Sequence, residues 1–105
     1  MGVVAMENNI SIQDSNSYID MLINQTFSIL PLYEENGKCS ILNHKIDNML
    51  HRTNGFFKMN DFDSNITIDI LSFIKELRGS DKHEEIRCCV LKICSLLSQL
   101  KVVIE

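Results

Sequence analysis

The chain has 105 residues, of which 45% are hydrophobic and 23% are charged, and its formal net charge at pH 7 is −4. This length and composition are those of a single soluble globular domain that can bury a core without disulfides or metal. The net negative charge disfavours binding to nucleic acid and adsorption to an anionic membrane, because both need an excess of Lys and Arg. Residues 1–37 contain five acidic residues and no Lys or Arg, so the charge is unevenly spread.

The N-terminal residues show no hydrophobic period. Residues 1–14 are polar and aperiodic, which predicts a flexible arm before one helical domain over residues 15–105. The first residues lack the basic and apolar regions of an export signal. No apolar run approaches the roughly 20 residues of a membrane span. We therefore expect a cytoplasmic protein that does not bind a membrane.

One Pro and four Gly in the whole chain favour a mainly helical protein. Apolar residues at helical spacing predict a first helix over residues 17–36. Pro31 interrupts this pattern, so the helix either kinks there or ends and restarts with Pro31 in the first turn of a new helix. Gly37 follows as a stop signal, because Gly adopts the left-handed conformation at a helix end without strain.

Two further helices follow at similar spacing. The pattern of Leu42, Ile46 and Met49 predicts a helix over residues 39–53 that Gly55 ends. Residues 56–65 are predicted to be a connector whose three aromatic residues, Phe56, Phe57 and Phe62, either pack on the bundle or form an exposed binding patch. A third helix is predicted over residues 65–78, although its first residues also alternate like a strand.

The last helix, predicted over residues 81–103, has two apolar or small stripes. One consists of Ile86, Val90, Ile93, Leu97, Leu100 and Ile104, and its +4, +3 spacing is that of a helix face packed on a core. The other consists of Cys88, Leu91, Ser95, Ser98 and Val102. A helix that is apolar on two sides is usually buried on two sides. The chain is therefore predicted to be an all-α, antiparallel bundle of about four helices. The last helix is either the central helix of that bundle or a helix that packs on its own bundle and also on a partner, and the second stripe is a possible interface.

The residues that could carry chemistry form no convincing site. The four cysteines include no Cys-x-x-Cys pair, and Cys88 and Cys89 are adjacent, so free thiols are predicted. His44, Asp47 and His51 share one helix side but supply only three zinc ligands. Residues 61–65 match the start of a calcium-binding loop but lack its Gly and its final Glu. We therefore predict no catalytic residues, no cofactor and no metal.

The sequence thus favours a non-catalytic protein that acts by binding another protein. Small acidic helical proteins of this kind include toxin-neutralising immunity proteins, antitoxins and regulatory adaptors, and the likeness is one of size, charge and class only. One alternative is a structural homodimer in which the second stripe of the last helix is the dimer seam. Another is a small ligand-binding bundle.

Overall fold

The computed structural model describes residues 12–62 and 64–104, and the side chains of residues 15–62 and 64–101. Within these ranges the regular secondary structure is entirely helical, which confirms the predicted all-α bundle. The helices are α1 (Ile12–Phe27), α2 (Ile29–Asn36), α3 (Ser40–Met59), α4 (Asn65–Gly79) and α5 (His83–Ile104). Most of the predicted arm lies outside the described residues, but its last three residues already belong to α1.

The break between α1 and α2 lies at Ser28. The sequence left two alternatives for this segment, one kinked helix or two separate helices. In a continuous helix, residue 31 would donate its N–H to the carbonyl of Phe27, and Pro31 has no N–H. Pro31 is the third residue of α2 instead, where a backbone N–H needs no partner within the helix. The restart is therefore the alternative that the structure shows. Gly37, with φ of 70°, then ends α2 as predicted.

α3 continues to Met59, so its predicted end before Asn54 and Gly55 is wrong. Phe56 and Phe57 extend the inner stripe of the helix and are only 5% and 3% exposed. Burying a Phe side chain contributes on the order of 1.5–3 kcal/mol, whereas Gly in a helix costs roughly 1 kcal/mol. The first part of the predicted connector is thus helical, and its phenylalanines pack on the core, with Phe62 half-buried beside them.

α4 begins where the sequence predicted, at Asn65. Ser64 and Thr67 form a reciprocal capping box, in which the Ser64 N–H donates to Thr67 Oγ1 at 3.0 Å and the Thr67 N–H donates to Ser64 Oγ at 3.4 Å. These bonds satisfy backbone N–H groups that the first turn of a helix leaves without partners. The alternation of residues after Ser64, which is typical of a strand, therefore does not prevent this segment from forming a helix.

The four long helices surround one core. α5 packs mainly against α1 and α4, α3 packs against α4 and α1, and α2 covers part of α5. The order around the bundle is thus α1, α5, α4, α3, so the α1/α5 seam lies across from the α3/α4 seam. The first predicted stripe of α5 is buried from Ile86 to Leu100, as expected. The buried apolar residues are Ile19, Leu22, Ile29, Leu42, Ile46, Met49, Phe56, Phe57, Ile70, Ile74, Leu77, Ile86, Cys89, Val90, Ile93, Cys94, Leu97 and Leu100.

Candidate protein-binding surface

The second predicted stripe lies on the outside of α5. Cys88, Ser95 and Ser98 are exposed, and Leu91 is 46% exposed. The side chain of Val102 is outside the described residues. Of the two predicted alternatives, burial of both sides of α5 by its own bundle is therefore wrong for these positions, and contact with a partner stays a prediction. The physical reason is that the described helices in contact with α5 are α1, α4 and α2, and all three leave the side chains at these positions exposed.

The register of α5 against α1 and α2 is fixed at two points. The Cys94 thiol lies 3.8 Å from the carbonyl oxygen of Ile23 and donates to it. The ring of Tyr33 stacks on His83 with a centroid distance of 5.8 Å. Residue numbers therefore rise along α1 and α2 as they fall along α5, and the segments run antiparallel.

This register brings two exposed apolar side chains to the same level. Phe27 lies about one turn after Ile23 on the same side of α1, and Leu91 lies about one turn before Cys94 on the same side of α5. Because Ile23 and Cys94 are in contact, Phe27 and Leu91 lie at the same level of the seam. Phe27 is 44% exposed and Leu91 is 46% exposed. Large apolar side chains thus flank one stretch of the seam between α1 and α5, on its solvent side.

We call Phe27, Leu91, Cys88, Ser95 and Ser98 the α1/α5 surface, in which Cys88 is the edge residue that also lines a shallow cavity between α4 and α5. The sequence pointed to four of these residues and missed Phe27. One local feature of the sequence could have identified Phe27 as a surface residue of interest. It is an aromatic residue on the outward side of α1, directly after Thr26 of the buried stripe. Its place opposite Leu91 depends on tertiary register, which the sequence alone does not give.

Polar contacts lie at both ends of the α1/α5 surface. Lys101 Nζ donates to Asp20 Oδ1 at 2.7 Å at one end. His83 Nε2 lies 3.9 Å from Glu34 Oε1 at the other. An apolar centre with a polar rim is the usual composition of a protein–protein interface. Leu91 and Phe27 occupy the position that anchoring residues take in such interfaces.

The cysteines are free, as predicted, and two of them are shielded from solvent. Burial raises the pKa of Cys94 to about 11. Burial also raises the pKa of Cys89, and the charge of Glu76 adds to that rise. Because the thiolate is the reactive form of cysteine, both thiols stay protonated and unreactive at neutral pH. Cys88 is the exposed thiol, and it lies at the edge of the α1/α5 surface that is nearer to α4.

The residues considered as metal ligands lie apart from this surface. His44 and His51 are exposed on α3, and Asp47 accepts a hydrogen bond from Arg78 Nε at 2.8 Å. Asp61 is exposed, and Asp63 lies outside the described residues. Within the part of the chain that the structure describes, no three His, Cys, Asp or Glu residues are grouped so that they could hold a metal ion.

No protein-family model, curated protein or solved structure matches the chain. Among the described helices, none combines the length and the apolar character needed to cross a membrane.

Proposed function

We propose that the protein acts by binding another protein, without catalysis, and that the α1/α5 surface makes the contact. The observation that carries this proposal is that the register set by the Cys94–Ile23 contact brings Phe27 and Leu91 to the same level of the seam, each with nearly half of its surface in water. A partner that covers both side chains removes this apolar area from water, at a gain of roughly 25 cal/mol per Å². Contiguous exposed apolar patches with a polar rim mark interaction sites, whereas single exposed apolar residues do not.

The rest of the surface suits a helix as the contacting element. Cys88, Ser95 and Ser98 are small, and the distance between two packed helices depends on the side chains at their contact. A partner helix laid along α5 approaches closely at these positions and contacts Leu91 beside them. Immunity proteins, antitoxins and small adaptors remain analogies of class. The free thiols suit a reducing compartment, which favours the cytoplasm as the place of action.

A homodimer is the second candidate. The outer face of α5 is a single stripe along one helix, so a twofold axis near its middle would bring the same residues of two copies together. In that arrangement Leu91 of each copy contacts the small residues of the other. The dimer and the heterologous complex use the same surface and differ in what covers it.

Light scattering after size exclusion, followed by affinity capture from the native host, tests the proposal. The wild type is compared with Leu91→Asp and with Ile41→Asp, a matched control because Ile41 is 75% exposed on α3, away from the surface. We expect Leu91→Asp to lose a dimer or a captured protein that Ile41→Asp retains, because a buried unpaired charge is costly. If the two variants show the same mass and the same captured proteins as the wild type, the α1/α5 surface is not a binding site.

A further inference from the structure

A cavity of about 180 Å³ opens between α1 and α3, and most of the side chains that line it are polar. The lining residues are Gln25 of α1 and Lys45, Asn48, Met49 and Arg52 of α3. The four α3 residues stand at i, i+3, i+4 and i+7, which places them on one side of that helix. Thr26 Oγ1 lies 3.3 Å from Met49 Sδ, and this buried contact joins the two helices beside the cavity.

The polar side chains of the cavity have no partners among the residues that the structure describes. Lys45 and Arg52 form no ion pair there, and the side-chain amides of Gln25 and Asn48 form no hydrogen bond. Lys45 is half-buried, whereas the other basic side chains without such a partner are exposed. All four side chains carry N–H donors, so they can bind a ligand that supplies acceptors.

The described acidic side chains of α1 and α3 are engaged with other helices. Asp20 Oδ1 accepts a hydrogen bond from Lys101 of α5 at 2.7 Å, and Asp47 Oδ1 accepts one from Arg78 of α4 at 2.8 Å. Asp20 lines a shallower cavity next to this one, where Lys101 neutralises its charge. Among the described residues, no Asp or Glu lines the 180 Å³ cavity itself. Its lining is therefore cationic, in a chain whose net charge is −4.

We propose that this cavity binds the phosphate group of a small molecule. A phosphate group carries about −1.5 to −2 charges at pH 7 and three acceptor oxygens. Arg52 presents a planar fork that matches two of these oxygens, and Lys45 adds a second positive charge. The amides of Gln25 and Asn48 donate to the oxygens that remain. A carboxylate has a single charge and two oxygens, so it satisfies fewer of these donors.

The volume of the cavity limits what carries the phosphate. A volume of 180 Å³ has room for roughly six water molecules at about 30 Å³ each, and sites for drug-sized ligands measure roughly 300–1,000 Å³. The cavity therefore takes one phosphate group and little else. The adjoining cavity shares Gln25 and is lined by Ser17, Asn24 and Ser28, whose hydroxyl and amide groups suit a hydroxylated remainder of a phosphate ester. The two cavities share no residue with the α1/α5 surface, and the inference does not depend on the function proposed for that surface.

An NMR titration of the full-length, 15N-labelled protein with sodium phosphate tests this inference at fixed pH and constant ionic strength. The reporters are the side-chain amide signals of Gln25 and Asn48 and the Nε–H signal of Arg52. We expect these signals to shift and saturate at millimolar phosphate, with weaker shifts in sodium acetate and none in sodium chloride. Glycerol phosphate is the second probe. Tighter binding with added shifts at Asn24 assigns the site to a phosphate ester, and equal affinity assigns it to the phosphate group alone.

Charge-removing variants then assign the binding to the two cations. Lys45→Gln with Arg52→Gln should raise the Kd for phosphate at least about tenfold, because hydrogen bonds from charged donors are the strong ones. Lys82→Gln with Arg87→Gln is the matched control, since both residues are exposed, lack an ion pair in the described structure and lie outside the cavity. Circular dichroism verifies folding. Arg52→Gln alone changes only an exposed side chain, and it should also weaken binding if the double variant is unfolded.

Several results would overturn the inference. These are shifts that do not saturate, equal shifts in phosphate and in acetate or chloride, and an unchanged Kd in the variants that lack Arg52. An equal loss of binding in the Lys82/Arg87 control would also overturn it, because the effect would then reflect net charge alone. Leu91→Asp should leave phosphate binding unchanged, which keeps this test independent of the α1/α5 surface.

Discussion

The rings of Tyr18 and Phe56 stack between α1 and α3, with centroids 4.4 Å apart and planes inclined by 14°. Phe62 meets Phe56 edge-on at 5.6 Å and lies 6.3 Å from Phe57. Such aromatic pairs contribute about 0.5–1.5 kcal/mol each beyond the area they bury. This cluster closes the end of the bundle where α3 stops and the chain turns into α4.

Phe56→Ala should lower the free energy of unfolding by about 3–5 kcal/mol, the range for truncating a buried Phe. The substitution removes both the buried area and the stacking on Tyr18. Met59→Ala, at the last residue of α3 and 77% exposed, should change stability by less than about 0.5 kcal/mol. Urea unfolding followed by circular dichroism measures both. Equal stabilities for the two variants would mean that Phe56 is not a core residue.

The same aromatic cluster explains why the end of α3 was predicted too early in the sequence. Gly55 predicts a helix end because glycine is a poor helix former, but this local preference is small. The burial of Phe56 and Phe57 depends on α1 and α4, which the local sequence does not reveal. Pro31 shows the opposite case. Its missing N–H is a property of the residue itself, so the sequence correctly predicted an interruption nearby.

Leu97→Ala should cost about 2–5 kcal/mol of stability, because Leu97 is 1% exposed in the core-facing stripe of α5. Leu91→Ala is the matched control, with the same chemical change on the same helix at a half-exposed position. We expect the control to lose less than about 1 kcal/mol. Thermal melts compare the two variants. A Leu97→Ala protein that melts within a degree or two of the wild type contradicts the packing of α5.

The four thiols should react at different rates with a thiol reagent in the native state. Cys88 is exposed and should be labelled first, whereas Cys89 and Cys94 are buried and should react only on the timescale of unfolding. Mass spectrometry of the labelled protein assigns each site. Rapid modification of Cys94, or a mass two units short for a disulfide, would contradict the structure. Cys88→Ser serves as the control and should abolish the fastest phase, leaving the half-buried Cys39 as the first thiol to react.

Cys94 should also contribute to the pH dependence of stability. Its pKa is about 11 in the folded protein, above its ordinary value of 9.0, so the folded state binds the proton more tightly than the unfolded state. This contribution is complete below about pH 9 and is lost as the pH rises through about 11. Chemical unfolding across this interval should show a smaller decline for Cys94→Ala than for the wild type. Parallel declines would show that the thiol is not buried as described.

The candidate surface was predictable in part. The spacing of Cys88, Leu91, Ser95 and Ser98 identified one helix face as unusual in composition, and the structure places that face in solvent. Whether a helix covers it could not be decided from α5 alone, since the answer depends on how many other helices the chain supplies. The pairing of Phe27 with Leu91 likewise requires the register set by the contact between Ile23 and Cys94.

The comparison of Ser95→Arg with Gln99→Arg tests the proposed binding function most directly. Both residues are exposed on α5, but only Ser95 belongs to the α1/α5 surface. The structure predicts that both variants melt like the wild type, because neither side chain is packed in the bundle. Ser95→Arg should reduce dimerisation or partner capture at least several-fold, whereas Gln99→Arg should change it little. If Ser95→Arg associates and captures proteins like the wild type, binding through this surface is contradicted.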